Sequence, residues 1–109
     1  MKGDHLGEFE ELVLLAVQAL GAEAAYGASV QTLLEQETRR GVTLGAVYAS
    51  LDRLEAKGCV TSAMTAGTPV RGGRSRRVFT MTPSGTRALT SLRRLRARLY
   101  DARPVRERS

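Results

Sequence analysis

The hydrophobic period of this chain switches at Gly58, and that switch limits the folds open to it. Up to Lys57 apolar residues recur every three or four positions, the spacing of amphipathic helices. Beyond it the runs CVTSAM (59–64) and RRVFTM (76–81) approach an alternation of two, the spacing of strands. The Gly-, Pro- and Ser-bearing segment between them is too polar to bury, so the pair reads as a hairpin with a long basic tip. TPSG (82–85) then opens another helix, with Thr82 as N-cap and Pro83 at the first helical position, where its missing N–H costs nothing. The resulting order is three helices, a hairpin and a last helix, a mainly α (α+β) chain.

Leu6–Leu20 form the first helix, with acidic side chains in its opening turns and Gly21 as its stop. Phe9, Leu12, Val13, Ala16 and Leu20 make one stripe, but Leu14, Leu15 and Val17 extend the apolar surface beyond one core face, which points to a partner chain. Tyr26–Gly41 form the second, with Val30, Leu33 and Leu34 inward and Gly41 as its cap. Thr43 caps a third helix that runs to Gly58. Its buried stripe is Leu44, Val47, Leu51 and Leu54; Ala46, Ala49, Ser50 and Arg53 lie opposite, beside Tyr48 and Asp52. Val60, Phe79, Met81 and Leu89 complete the expected core. In the last helix Ala88, Leu92, Leu95 and Leu99 form the seam of a short coiled coil, surrounded by Arg93, Arg94, Arg96 and Arg98. A chain of 109 residues has one small core and is marginal alone, which again favours a dimer.

Charge divides the chain too. Residues 1–40 carry three basic and seven acidic side chains, residues 41–109 fourteen and four, for a total of +6. The second half calls for a polyanion or an acidic partner. Catalysis finds little support, and the reading is a non-enzyme without cofactor or metal. His5 is the lone histidine, and Cys59, the lone cysteine, has no positioned base and reads as core. No cluster of His, Asp and Glu has metal-ligand spacing. GTPVRGG lacks the ending of a phosphate-binding loop. A single cysteine suits a reducing cytoplasm, and the apolar run Leu12–Ala16 suits neither a bilayer span nor a signal peptide.

Three helices followed by a basic hairpin is the order of a winged helix-turn-helix, in which a helix enters the major groove and the wing reaches phosphates or the minor groove. Residues 1–81 would be the DNA-binding unit, and 82–109 a dimerisation helix with a tail that frays after Pro104.

The strings YGASVQTLLEQ, VTLGAVYASLDRLEAKGCV and GGRSRRVFTMTPSGTRAL resemble the PadR family of bacterial transcriptional regulators. The likeness runs from about Leu6 to Leu99 and is most specific in Gly45, Tyr48, Leu51, Arg53, Leu54, Glu55 and Gly58. It implies a homodimeric winged-helix regulator, usually a repressor, acting on a palindromic operator near its own or a neighbouring gene. In the family's smaller branch the first and last helices form the dimer contact. Ala49 departs from the proline that many members carry. With no tryptophan, the aromatic sandwich by which some small members hold flat ligands has only Tyr100 and Phe9 as nearest candidates, so any small-molecule effector stays unidentified.

Roles follow from these two lines of reasoning. Thr43 caps the third helix and offers its first N–H groups to a phosphate. Tyr48, the family's tyrosine, reaches a phosphate through its hydroxyl or packs beside the wing. Ala46, Ala49 and Ser50 meet base edges. Arg53 touches the DNA backbone or pairs with Asp52 and Glu55, and Lys57 meets solvent or phosphate. Arg71, Arg74, Arg76 and Arg77 are the wing's hold on the DNA backbone. Leu14, Leu15, Ala88, Leu92, Leu95 and Leu99 are assigned to the dimer interface. The arginines of the last helix suit either DNA or the acids Glu8, Glu10 and Glu11 on the first helix of a partner. The alternative is a winged-helix module that docks an acidic protein without reading DNA. It calls for an exposed apolar anchor on the third helix, where the sequence offers Ala and Ser.

Overall fold

The computed structural model describes residues 5–65 and 75–104. Arg71, Arg74, the glycines between them and the tail after Pro104 lie outside those residues. In chain order the elements are α1 (Glu8–Leu20), α2 (Gly27–Thr38), α3 (Leu44–Ala56), β1 (Val60–Met64), β2 (Arg77–Met81) and α4 (Pro83–Asp101). This is the mainly helical, winged order that the change of period implies.

The chain's capping residues set these boundaries. Glu10 accepts the Gly7 N–H at 3.0 Å at the start of α1, and Gly21, at φ 82°, closes it. At the start of α2 the Ser29 hydroxyl accepts the Tyr26 N–H at 3.0 Å. Its end differs from expectation, for Arg39 rather than Gly41 takes the left-handed cap, at φ 58°. The reason lies in the turn that follows. Gln31 Nε2 donates to the Val42 carbonyl at 2.8 Å, and the Val42 N–H donates to Glu35 Oε2 at 3.1 Å. Both backbone groups of Val42 are therefore satisfied by α2, which requires the helix to stop early enough for the chain to return alongside it. Thr43 then caps α3 by accepting the Ala46 N–H at 3.1 Å. Gly58, at φ 79°, ends α3 in a Schellman turn, with Gly58 N–H on Glu55 O at 3.0 Å and Cys59 N–H on Leu54 O at 2.9 Å.

β1 and β2 pair antiparallel, from Val60 opposite Met81 to Met64 opposite Arg77. The α1–α2 connection lies along β2, through a bridge between Tyr26 and Val78 and a 2.8 Å bond from Phe79 N–H to Ala25 O. Thr82 fastens α4 to the α3–β1 corner: its N–H donates to Cys59 O at 3.0 Å, its hydroxyl donates to Gly58 O at 2.6 Å and accepts the Gly85 N–H at 3.1 Å. Gly85 is buried so tightly there that a Cβ would run into the Cys59 carbonyl.

Val13, Leu51, Leu54, Val60 and Phe79 are fully buried, Cys59 and Leu89 nearly so, and Met81 packs partly against them. Three residues differ from their expected places. Leu14, assigned to the dimer interface, has 0% exposure inside this core. Ser50, assigned to base contact, is likewise 0% exposed, because it lies three residues past Val47 and four before Leu54, on the face of α3 that enters the core. Leu44, assigned to the core, is 40% exposed, since the first turn of α3 projects past the helices beneath it.

One ionised group is built into this packing. Glu10 is only 6% exposed. Its Oε2 accepts Arg53 Nε at 2.8 Å and its Oε1 accepts Lys57 Nζ at 2.6 Å. Burial alone would raise the carboxyl pKa, but hydrogen bonds from Lys57, the Gly7 N–H and Arg53 outweigh it and bring it from 4.5 to about 2.

Because the folded pKa is depressed, Glu10 stabilises the fold above its unfolded pKa, and that stability drains away as pH falls from 4.5 towards 2. The whole effect is worth about 3 kcal/mol. Glu10→Gln is expected to lower stability at pH 7 and to flatten the acid limb of a pH series of urea unfolding curves. Gly85→Ala is expected to cost about 1–3 kcal/mol by overpacking, seen as a lower urea midpoint with an unchanged slope.

Candidate nucleic-acid interface

The exposed start of α3 is small and polar apart from one leucine. Thr43, Gly45, Ala46 and Ala49 are exposed together with Leu44. Nothing lies within 4 Å of a Cβ built at Gly45. The capped N-terminus leaves backbone N–H groups pointing outward, with the positive end of the helix dipole behind them. Tyr48 stands half-buried beside this surface, over Gly27, where a Cβ would collide with its ring. Glycine at 27 thus makes room for the tyrosine, which accounts for the Tyr-Gly opening of α2.

The basic residues further along α3 are turned to other work. Arg53 reaches Glu10 and also donates Nη2 to Ser50 Oγ at 3.3 Å, so its partner is neither Asp52 nor Glu55. Lys57 binds Glu10 and donates to the His5 carbonyl at 2.5 Å rather than facing solvent or phosphate.

At the hairpin, Thr65 N–H donates to Arg76 O at 2.8 Å and Arg76 N–H returns to Thr65 Oγ1 at 3.1 Å, closing the root of the wing. Arg76 is exposed and lies over the Tyr26 ring, 4.0 Å from its centroid, a cation–π contact that leaves its edge outward. Arg77 does not share that exposure. It pairs with Glu55 at 2.7 Å and Asp52 at 3.1 Å on α3. Hydrogen bonds from Ser62 and Arg77 hold the Glu55 carboxyl below its ordinary pKa, and Glu55 in turn raises that of Arg77.

The assigned dimer residues are spread over two surroundings. Leu15, Leu95 and Leu99 are exposed, at 40%, 42% and 65%, and Tyr100, which follows Leu99, is 87% exposed. Ala88 and Leu92 are half-buried against the core, and Leu14 is inside it. Arg96 pairs with Glu11 of its own chain at 2.6 Å, and Glu10 is held by α3. For these two acids, the neutralisation expected across a dimer is met within one chain.

Open grooves flank α4, and the larger, of about 560 Å³, runs past Leu6, Lys57, Ala88, Leu92 and Leu95. Among the described residues no group of three His, Cys, Asp or Glu side chains is placed to hold a metal ion, and no helix is long and apolar enough to cross a membrane.

Two features of the surface do not follow from the sequence reading, the exposure of Leu44, assigned there to the core, and the Tyr26 platform under Arg76. Only their positions, directly after an N-cap and directly before a helix, hint at them.

Comparison with curated proteins gives no match. Solved structures do match. A PadR-like transcription factor from Bacteroides fragilis superimposes with a TM-score of 0.69 at 24% identity, over 85% of this chain and 84% of that one. A PadR family transcriptional regulator from Eggerthella lenta DSM 2243 gives 0.65 at 26% identity, over 83% and 75%. Bacillus subtilis PadR in complex with operator DNA gives 0.61 at 17% identity, over 89% of this chain and 49% of that one. The model of the transcriptional regulator PadR-like family matches residues 14–91, most of the winged-helix body just described, and the chain belongs to that family of DNA-binding transcriptional regulators.

Proposed function

We propose that the protein is a homodimeric, sequence-specific regulator of the cytoplasm that represses its own or a neighbouring gene from a palindromic operator. The observation that carries this reading is the exposed first half of α3. Gly45, Ala46 and Ala49 are short enough to let the helix backbone approach base edges in a major groove about 12 Å wide. Thr43 and the N–H groups of the first turn suit a phosphate, and Leu44 suits a thymine methyl. Arg71, Arg74 and Arg76 supply the wing's contacts to the sugar–phosphate backbone. That Bacillus subtilis PadR, of the same fold, is seen with operator DNA supports DNA as the partner.

Residues 1–81 serve as the DNA-binding unit, and the helix within 82–109 as the dimerisation element. Leu92, Leu95 and Leu99 form an apolar seam on α4, and Leu15 lies exposed on α1. A two-fold axis through these helices would cover them and set two copies of α3 in successive major grooves, with half-sites roughly 34–36 Å apart.

A second reading, docking of an acidic protein without reading DNA, gains one observation: Leu44, 40% exposed, is an apolar anchor on α3. DNA is preferred because its neighbours there are small rather than bulky.

Fluorescence anisotropy with a duplex from upstream of the coding sequence, and with a scrambled duplex of equal length, tests this across a salt series. The upstream duplex is expected to bind more tightly, with log affinity falling by about 0.9 per phosphate contact per decade of salt. Ala49→Asp is expected to weaken the upstream duplex about tenfold and the scrambled one less, through added charge alone. Arg71→Ala with Arg74→Ala is expected to weaken both and to reduce the salt slope by about 1 per arginine. Leu95→Glu with Leu99→Glu is expected to sediment as a monomer and to lose the preference. Equal binding of both duplexes by the unaltered protein would remove DNA reading and leave the protein-docking alternative.

A further inference from the structure

Arg77 sits in the wing and belongs by composition with the arginines that hold DNA, yet its guanidinium is half-buried and already has partners. Nη2 lies 2.7 Å from Glu55 Oε1 and 3.1 Å from Asp52 Oδ1. Nε donates to Ser62 Oγ at 3.2 Å, and Ser62 in turn donates to Glu55 Oε2 at 2.9 Å. The guanidinium carbon rests 4.8 Å from the centroid of Phe79, which is fully buried. Its neighbour Arg76 lies just before β2, on the opposite side from Arg77, and is exposed.

The members of this cluster come from three elements. Asp52 and Glu55 lie on the second half of α3, Ser62 on β1, and Arg77 and Phe79 on β2. Followed one way, α3 leads back to Thr43, Ala46 and Ala49; followed the other, the strands lead to Thr65 and Arg76, where the wing begins. The contacts that join α3 to the strands at this point therefore set the angle at which helix and wing meet a duplex together.

We infer that Arg77 is a positioning residue for DNA reading, a clamp between the recognition helix and the wing root, and not a phosphate contact. The inference rests on the DNA-reading role proposed above. It differs from a simple electrostatic role in the sign of one effect. If charge alone mattered, removing the Glu55 carboxylate would strengthen binding to a polyanion. A clamp that has lost its carboxylate holds the helix and wing less well, so reading of the upstream duplex weakens instead.

Arg77→Ala, Glu55→Gln and the unaltered protein are compared by anisotropy with the upstream and scrambled duplexes over a salt series, and by amide hydrogen exchange without DNA. Both variants are expected to bind the upstream duplex about fivefold more weakly, the size of a coupled polar network. The salt slope of Arg77→Ala stays at the unaltered value, and Glu55→Gln binds the scrambled duplex at least as well as before. In the free protein, exchange quickens in β1 and β2 of both variants while α1 and α2 keep their protection. A loss of about 0.9 in the salt slope of Arg77→Ala would make Arg77 a phosphate contact and overturn the inference. So would tighter upstream binding by Glu55→Gln, or unchanged strand exchange in both variants. If the unaltered protein bound both duplexes alike, the regulator reading would fall, and the exchange result alone would decide whether Arg77 clamps α3 to the strands.

Discussion

A carboxylate buried between α1 and α3 constrains the rest of this molecule. Glu10 is 6% exposed and ionised, and such a group costs several kcal/mol to bury unless partners replace its water. Arg53, Lys57 and the Gly7 N–H are those partners. Two of them, Arg53 and Lys57, come from the far end of α3 and its C-cap, so this contact locks α3 onto α1 while the Arg53 side chain stays 57% exposed. What α3 then shows outward is its start, a cap and a row of small residues. With Arg96 holding Glu11, α4 is also tied to α1, so α3 and the exposed α4 seam are attached to one support.

Positive charge in the second half of the chain is therefore a poor guide to where DNA lies. Arg53, Lys57, Arg77 and Arg96 all have acidic partners within the fold. Neighbouring arginines differ in role because of strand geometry, Arg76 stacking outward on Tyr26 and Arg77 clamping inward on Glu55 and Asp52. A field summed over the sequence counts both alike; the surface does not.

Much of the fold was legible in the sequence, because local chemistry specifies it. Thr43, Gly58 and Thr82 act as caps and stops where the periodicity places them, and the two strands fall within one residue of their runs. Errors arose where local signals were silent or outweighed. LVLLAV in α1 has no polar residue to give it a phase, so Leu14 could be assigned to either face. The apolar stripe alone puts Ser50 on the opposite face and Leu44 in the core, whereas Ser50 is 0% exposed and Leu44 40% exposed. Gly41 has the composition of a cap, but the bonds of the Val42 backbone to Gln31 and Glu35 accompany an earlier stop at Arg39. The site was less legible than the fold, since its decisive contacts join residues far apart: Glu10 with Arg53, and Arg77 with Glu55. No periodicity announces such pairs.

If Arg53 and Arg77 serve the fold, as their partners suggest, other groups meet DNA. The Nε–H groups of both arginines are donors in the structure, Arg53 to Glu10 and Arg77 to Ser62. They can be followed as separate signals by ¹⁵N NMR of arginine-labelled protein titrated with the upstream duplex. These two signals are expected to keep their positions and slow exchange while the amide signals of Gly45, Ala46 and Ala49 shift. Movement of the Arg53 or Arg77 signal to a DNA-bound position, with Glu10 or Ser62 losing its partner, would contradict that role.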